Sequence, residues 1–390
     1  MITIIRDKYK VCYVTTLPGT LESFCLQSAI YNINQGEWDV TFISSYDADF
    51  EKRLPEIIHY IPLNMPRGMN LTAIQIIPEL VRIFRKEKFD LVQYATANAG
   101  FYASIASKIT GVPIRLYTLW GIGYVHMSGF RRIYKAFLEK VICGCSTHIQ
   151  PDSKENLQIA LEQKLFRPEQ GTVIGAGSAC GIDLLRYDIS RKREWRELIR
   201  RKYRISNDAW VLGYVGRLLK DKGIDELLGA AKQMSAKYDN FVLLMVGPLD
   251  TVEGIDSEKI SWAMNSAQVV FTGQTNEVEK YYAAMDCFTL PSYHEGFGMV
   301  TIEAEAMGLP IIDTDIPGSR EAMKRDYTGI LVEPKDEKSL FYGIEKLYSD
   351  NELTKSFGIN ARQYVEENFE QQELCRLIYE NRRQLLENLE

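Results

Sequence analysis

No apolar run in this 390-residue chain approaches the roughly eighteen residues that cross a membrane. The opening stretch Met1-Ile2-Thr3-Ile4-Ile5-Arg6 lacks the n-region, long h-region and cleavage site of a signal peptide. Histidine is scarce: four residues, none clustered in sequence, so a metal site is not expected. The seven cysteines stand at 12, 25, 143, 145, 180, 287 and 375, an odd number without framework spacing. Cys143-Gly144-Cys145 is closer than the usual zinc or redox pairs. Together these features point to a reduced, cytoplasmic protein. A positive surplus is missing as well. The net charge is −6, which argues against a general nucleic-acid binder. The charge is uneven, however: residues 1–180 carry 19 Lys+Arg against 16 Asp+Glu, and residues 181–390 carry 27 against 36. The more basic first half is the one suited to an anionic partner, such as a phosphorylated acceptor or a membrane surface.

What is present is a repeated alternation of buried strand and helix. With 46% hydrophobic residues, the chain can bury two large cores. Strands are predicted at 11–15, 38–43, 90–94, 114–118 and 147–150, with helices at 21–35 and 70–88 and an N-capped helix after Asp152-Ser153. A charged connection spans 184–208. Strands then resume at 210–216, 241–247, 269–271, 287–290, 311–313 and 329–332, and a polar helical tail follows 336. Such βαβα alternation is the pattern of parallel sheets covered on both faces. The expected fold is α/β, two Rossmann-like domains facing each other across a deep cleft. Their expected bounds are 1–183 and 184–365, with a final helix over 366–390 packing back towards the first domain.

The most informative stretch runs from Pro291 to Glu303, between a short apolar strand and a helix stopped by Gly308-Leu309-Pro310. Glu295 and Glu303 lie on either side of a turn kept bare by Gly296 and Gly298, whose N–H groups can approach an anion. A diphosphate flanked by hydroxyls, as in a nucleotide-sugar, suits that arrangement. Glu303 falls four residues past Met299, on the same helix face. Glu305 faces elsewhere and reads as surface or structural. After the strand ending at Gly216 come Arg217 and Lys222, two cations placed to clamp a diphosphate as it departs. Alone they read as ordinary loop charge; beside the two glutamates the clamp prevails.

Several motifs together carry a family resemblance. They are Gly216-Arg217-Leu218 with Lys222-Gly223, Val246-Gly247, Phe271-Thr272-Gly273, Pro291-Ser292 with Glu295-Gly296-Phe297-Gly298 and Glu303-Ala304, and Pro317-Gly318 with Glu321-Ala322. In this order, and with Gly329 to Pro334, they resemble glycosyltransferase family 4, the retaining, GT-B-fold, nucleotide-sugar-dependent enzymes. The first half is similar to bacterial capsule and exopolysaccharide members through Thr15 to Thr20, Val40 to Ser45, Arg115 to Leu119, the basic helix around Arg131-Arg132, and Gly177 to Asp183.

The resemblance implies that Arg217 and Lys222 contact the diphosphate of a UDP-sugar. Glu295 would hydrogen-bond sugar hydroxyls, helped by the N–H groups of Gly296, Phe297 and Gly298. Met299 and Val300 would pack near phosphate and ribose, and Glu303 would hold the ribose hydroxyls. Gly19, in the first strand-to-helix turn, would let the acceptor and the donor phosphate approach the first domain. It further implies no cofactor and no metal, a lipid-linked saccharide as acceptor, and work at the inner face of the cytoplasmic membrane. Family members often carry Tyr-Thr-Leu-His-Gly where this chain has Tyr117-Thr118-Leu119-Trp120-Gly121. Trp120 cannot accept a proton, but it can stack on a sugar ring.

Other features admit plainer readings. His126 reads as a surface-loop residue, His294 as a neighbour of Glu295, and Cys143 and Cys145 as packing at a helix end. Arg320 and Glu321 either cap a helix or touch ligand. Residues 130, 133, 134, 137, 138 and 141 form one apolar helical face, which either packs into a core or rests on anionic lipid. Two other functions stay open at this level: a sugar-nucleotide 2-epimerase, and a nucleotide-sugar-binding subunit without catalysis.

Overall fold

In the computed structural model, residues 8–66, 75–249 and 254–389 are described. Part of the predicted helix 70–88 therefore lies outside them, as do residues 1–6 and the side chain of His126. The chain divides into two compact units. One is 1–181 together with 371–390, and the other is 182–370.

The first unit contains β1 (Tyr9–Val14), α1 (Pro18–Phe24), α2 (Leu26–Asn34), β2 (Trp38–Ser44), α3 (Ala48–Arg53), β3 (Ile58–Pro62), α4 (Ile76–Glu87), β4 (Leu91–Ala95), α5 (Ala97–Thr110), β5 (Ile114–Leu119), α6 (Gly129–Cys145), β6 (His148–Pro151) and α7 (Lys154–Glu162). Its six strands are parallel and lie in the order β3-β2-β1-β4-β5-β6. Val11, Val14, Val40 and Leu91 are wholly buried, as befits strands covered on both faces. Ser153 caps α7 by accepting from Asn156 N.

The second unit holds α8 (Lys192–Lys202), β7 (Trp210–Val215), α9 (Ile224–Lys237), β8 (Phe241–Val246), α10 (Ser257–Asn265), β9 (Val269–Phe271), α11 (Val278–Ala284), β10 (Cys287–Leu290), α12 (Met299–Ala306), β11 (Ile311–Thr314), α13 (Pro317–Ala322), β12 (Gly329–Val332), α14 (Glu337–Ser349) and α15 (Asn351–Asn368). Its six parallel strands lie in the order β12-β11-β10-β7-β8-β9. The last helix, α16 (Gln371–Glu387), belongs to the first unit. It is held there by the buried Arg382, which donates from Nη2 to Gln93 Oε1 on β4 at 3.2 Å and to Gln150 Oε1 on β6.

Three expectations differ from what folds. The segment read as a connection contains α8, whose Trp195 and Ile199 are buried, and it is part of the second unit. The helix predicted over 21–35 is two helices that meet at Cys25. The edge strand β3 was not foreseen at all.

Each sheet reverses its strand order once. In the first unit, β1 to β3 grow to one side and β4 to β6 to the other. In the second unit, β7 to β9 and β10 to β12 do the same. The loops that leave the carboxyl ends of β1 and β4, and of β7 and β10, therefore diverge and open a crevice, the place where ligands bind in open α/β sheets.

Candidate active site

β7 and β10 are neighbours, with Cys287 opposite Leu212 and Phe288 opposite Gly213. Being parallel, they send both chemistry-bearing loops to the same edge. Tyr214 Oη donates to the carbonyl of Arg217 at 2.8 Å, fixing the backbone where the exposed Arg217 side chain begins. A short turn over Lys220–Lys222 follows and ends at Gly223, with φ +68°. A Cβ there would stand 1.9 Å from the carbonyl oxygen of Pro291, so only glycine lets the two loops touch. Tyr293 N donates to Asp221 O at 2.9 Å across the same seam, and the His294 ring lies 3.5 Å from Asp221 Oδ2.

The consequence is a contact between two motifs far apart in sequence. Lys222 Nζ donates to Glu295 Oε1 at 2.6 Å in a largely buried ion pair. An ammonium has three donors and a carboxylate about four acceptor positions, so both groups keep capacity for a ligand. The helix α12 starts at Met299, because Gly298 turns the chain with φ +77°. Phe297 does not face the loop. It is buried edge-on against Phe369, ring centroids 5.4 Å apart, which anchors Gly296 and Gly298 on either side. Met299 and Val300 are half-buried in the first helical turn, and Glu303 follows in the next.

Glu303 has partners that sequence reasoning missed. Tyr282 Oη on α11 donates to Glu303 Oε2 at 2.9 Å and also lies 3.1 Å from Val300 O. Burial raises the Glu303 carboxyl above the ordinary carboxylate range; bonds from Tyr282 and Tyr187 and the charge of Arg186 pull it back. Arg186 is itself held by Glu279 Oε2 at 3.0 Å and Asn276 O at 2.8 Å. Arg186 and Tyr187 come from the stretch read as a connection. Their only sequence signal is an aromatic beside an arginine in an otherwise charged segment.

Beneath the helix, Thr301 Oγ1 donates to Asp313 Oδ2 at 2.7 Å, and Leu290 N donates to Asp313 Oδ1 at 2.9 Å. Burial pushes that carboxyl to about 7, against both of these bonds. Glu305 is not on the surface. It is wholly buried, and burial, chiefly, holds its carboxyl far above its ordinary value. Arg320 pairs with Asp315 Oδ1 at 2.8 Å.

The structure thus gathers Lys222, Glu295, Met299, Val300 and Glu303, with the loop that carries Arg217, at one edge of the second sheet. Gly19 and Trp120 belong to the first unit. Gly19 lies within the first turn of α1 rather than in the turn before it, and among the described residues no atom beyond its own helix backbone and chain neighbours would come within 4 Å of a Cβ there. Trp120 is half-buried against Phe24, ring centroids 4.9 Å apart.

Two doubly wound parallel units, each with a crevice at its strand-order reversal, are the fold of a large class of glycosyltransferases. The family described as glycosyl transferases group 1 matches residues 196–364, and the one described as glycosyl transferase 4-like matches residues 10–149. The chain is 31% identical over 363 residues to the capsular polysaccharide biosynthesis glycosyltransferase CapM of Staphylococcus aureus, covering 93% of this chain and 94% of that protein. It is 24% identical to an Escherichia coli UDP-Gal:alpha-D-GlcNAc-diphosphoundecaprenol alpha-1,3-galactosyltransferase, over 89% and 90% of the two chains. Among solved structures, Anabaena Alr3699/HepE in complex with UDP and glucose superposes with a TM-score of 0.79 at 20% identity, over 96% of this chain and 99% of that one. The chain belongs to the family 4 glycosyltransferases, and its kin include capsule-synthesis enzymes.

Proposed function

We propose that this glycosyltransferase is retaining and metal-independent. It moves a sugar, with N-acetylhexosamine the first candidate, from a UDP-sugar to a polyprenyl-diphosphate-linked saccharide in bacterial surface-polysaccharide synthesis. The observation that carries the reading is the Lys222–Glu295 contact at the strand-order reversal, with Glu303 one helical segment away. A cation, a hydroxyl-binding carboxylate and a second carboxylate at that spacing match the diphosphate, sugar and ribose of one nucleotide-sugar. The Escherichia coli relative is named for a UDP-sugar and a diphosphoundecaprenol-linked acceptor, which supports the same substrate classes here.

In this mechanism the bond between the donor's anomeric carbon and the diphosphate oxygen breaks, while an acceptor hydroxyl forms its bond on the same face. The acceptor proton passes to the departing phosphate oxygen. No side chain forms a covalent intermediate. Arg217 and Lys222 offset the charge that accumulates on the leaving group, and Glu295 orients the sugar. The same two cations make a metal unnecessary, so chelation with EDTA leaves turnover unchanged.

The acceptor's lipid places the enzyme at the inner face of the cytoplasmic membrane. No helix among the described residues is long and apolar enough to cross a membrane. Instead, Phe130, Ile133 and Phe137 on α6 are 80%, 68% and 57% exposed, beside Arg131, Arg132 and Lys140. Such a face rests on anionic lipid.

The test is transfer of sugar from a panel of UDP- and GDP-sugars to undecaprenyl-diphosphate-linked saccharides, with the anomeric configuration of the product read by NMR. The expected product keeps the donor's configuration. An inverted linkage, or conversion of UDP-N-acetylglucosamine without any acceptor, overturns the assignment.

A further inference from the structure

The second unit has a pocket at the edge of its sheet opposite the proposed donor site. Its parallel strands bring the starts of β7, β10 and β11 together, so Trp210, Asp286 and Pro310 share that edge. Beside them α8 and α15 enclose about 860 Å³, which Lys192, Arg196 and Ile359 also line. That is a volume suited to a small molecule.

Two features set the chemistry of the pocket. The first is a cation without a counter-ion. Lys192 Nζ donates to Met307 O at 2.6 Å and to Gly308 O at 3.2 Å, at the carboxyl end of α12. Those bonds use two of its three donors, and it forms no ion pair with a carboxylate among the described residues. Asp286 is already engaged. Its Oδ1 accepts from Arg196 Nη2 at 2.6 Å, and its Oδ2 accepts from Arg200 Nη2 and Val211 N, each at 2.8 Å. The other cations of the rim, Arg193, Lys355 and Arg362, have Glu197, Glu352 and Glu366 as partners. The unmatched charge is therefore that of Lys192, one helical turn before Arg196 on the same side of α8. Burial, and then the charge of Arg196, lower the Lys192 ammonium to about 8, with Asp286 opposing them. Helix capping explains the carbonyl contacts of Lys192 but leaves its charge uncompensated. The surplus is also local, since residues 181–390 carry 27 Lys+Arg against 36 Asp+Glu.

The second feature is apolar surface. Ile359 on α15 is 71% exposed. Trp210 is half-buried and fixed between two rings, Phe241 at 6.1 Å and Tyr348 at 5.5 Å between centroids.

We propose that this pocket is a second ligand site, for a soluble small anion with an apolar body. A carboxylate, sulfonate or phosphate monoester takes the third N–H of Lys192, and the hydrocarbon part lies against Trp210 and Ile359. The assignment does not rest on the glycosyl-transfer reading. The eight residues of α12, about 12 Å of helix, separate this pocket from the proposed donor loop.

Calorimetric titration of the full-length protein with 1-naphthalenesulfonate, at saturating UDP so that the proposed donor site is filled, tests this directly. The wild type binds the sulfonate saturably and binds neutral 1-naphthalenemethanol at least about tenfold more weakly. Lys192→Gln weakens sulfonate binding by at least about tenfold and narrows its advantage over the neutral analogue. Ile359→Asp sets a negative charge at the mouth of the pocket and also weakens the sulfonate at least about tenfold. Because Ile359 is exposed, that variant melts within a degree or two of wild type, so it tests the site even where loss of the Lys192 cap impairs folding. Sulfonate affinity unchanged in Lys192→Gln or in Ile359→Asp, equal binding of the neutral analogue, or no saturable binding by the wild type overturns the proposal. A protein that binds the sulfonate in this pattern but takes up no UDP contradicts the donor-site reading and leaves the anion pocket standing.

Discussion

At the scale of single residues, the protein keeps several carboxyls where water does not help them. Glu139 shows what that implies for pH. Its carboxyl sits at about 7 in the folded chain against 4.5 ordinarily, mainly through burial, opposed by the Tyr117 hydrogen bond and the charge of Lys135. Tyr124 and Cys143 also face it, and each is itself pushed up by burial and by the Glu139 charge. The folded state therefore holds a proton that the unfolded chain has already released. Stability is lost as pH rises from about 4.5 to 7, by on the order of 3 kcal/mol for this group. Glu139→Gln, whose amide oxygen still accepts from Tyr117, should raise the melting temperature at pH 8 and give no gain near pH 4. An equal gain at both values would mean that Glu139 titrates normally. Glu303 is different in kind, because Tyr282 holds its Oε2 at 2.9 Å. Tyr282→Phe removes one bond to a charged group and should weaken UDP binding roughly tenfold in calorimetry. Unchanged affinity would remove Tyr282 from the donor site.

At the scale of elements, the seam between the loops after β7 and β10 builds the proposed donor site. Gly223 combines a left-handed backbone with the closest approach to Pro291, so Gly223→Ala should cost at least about 2 kcal/mol, from the conformation and the overlap together. Urea unfolding measures that loss. A stability within 0.5 kcal/mol of wild type would show that the two loops do not depend on this contact.

The strands flanking this seam were legible in the sequence, because runs such as Val211-Leu212-Gly213-Tyr214-Val215 and Cys287-Phe288-Thr289-Leu290 are apolar and short, bounded by loop residues. The glutamate pair was legible through its glycines. Elements dictated by tertiary packing were not. The charged stretch 192–202 gave no hint that Trp195 and Ile199 bury one face of a helix, so the arrival of Arg186 and Tyr187 beside Glu303 went unseen. The edge strand β3 alternates weakly, with His59 and Tyr60 between isoleucines, and pairs with one neighbour only. Of the two readings of Glu305, surface or structural, the structural one holds, although a glutamate on a helix normally faces water. Here its neighbours, not its type, decide its place.

At the scale of the whole molecule, two units of the same architecture carry different side chains at their strand-order reversals. The second presents cations and carboxylates at its strand-order reversal. The first presents an aromatic-lined pocket at its own, and on α6 an apolar, basic face. Replacing Phe130, Ile133 and Phe137 together by serine should abolish sedimentation with phosphatidylglycerol vesicles and leave the melting temperature within a degree or two of wild type, since all three are exposed. Undiminished vesicle binding would contradict the proposal that this face rests on lipid. The central claim is that the β7–β10 seam grips the donor diphosphate, and it is tested most directly by comparing sugar transfer from a UDP-sugar by wild type and Arg217→Ala at matched melting temperature. Removing a charge that acts on the leaving group should lower turnover at least a hundredfold. Transfer at the wild-type rate by a fully folded Arg217→Ala protein would contradict it.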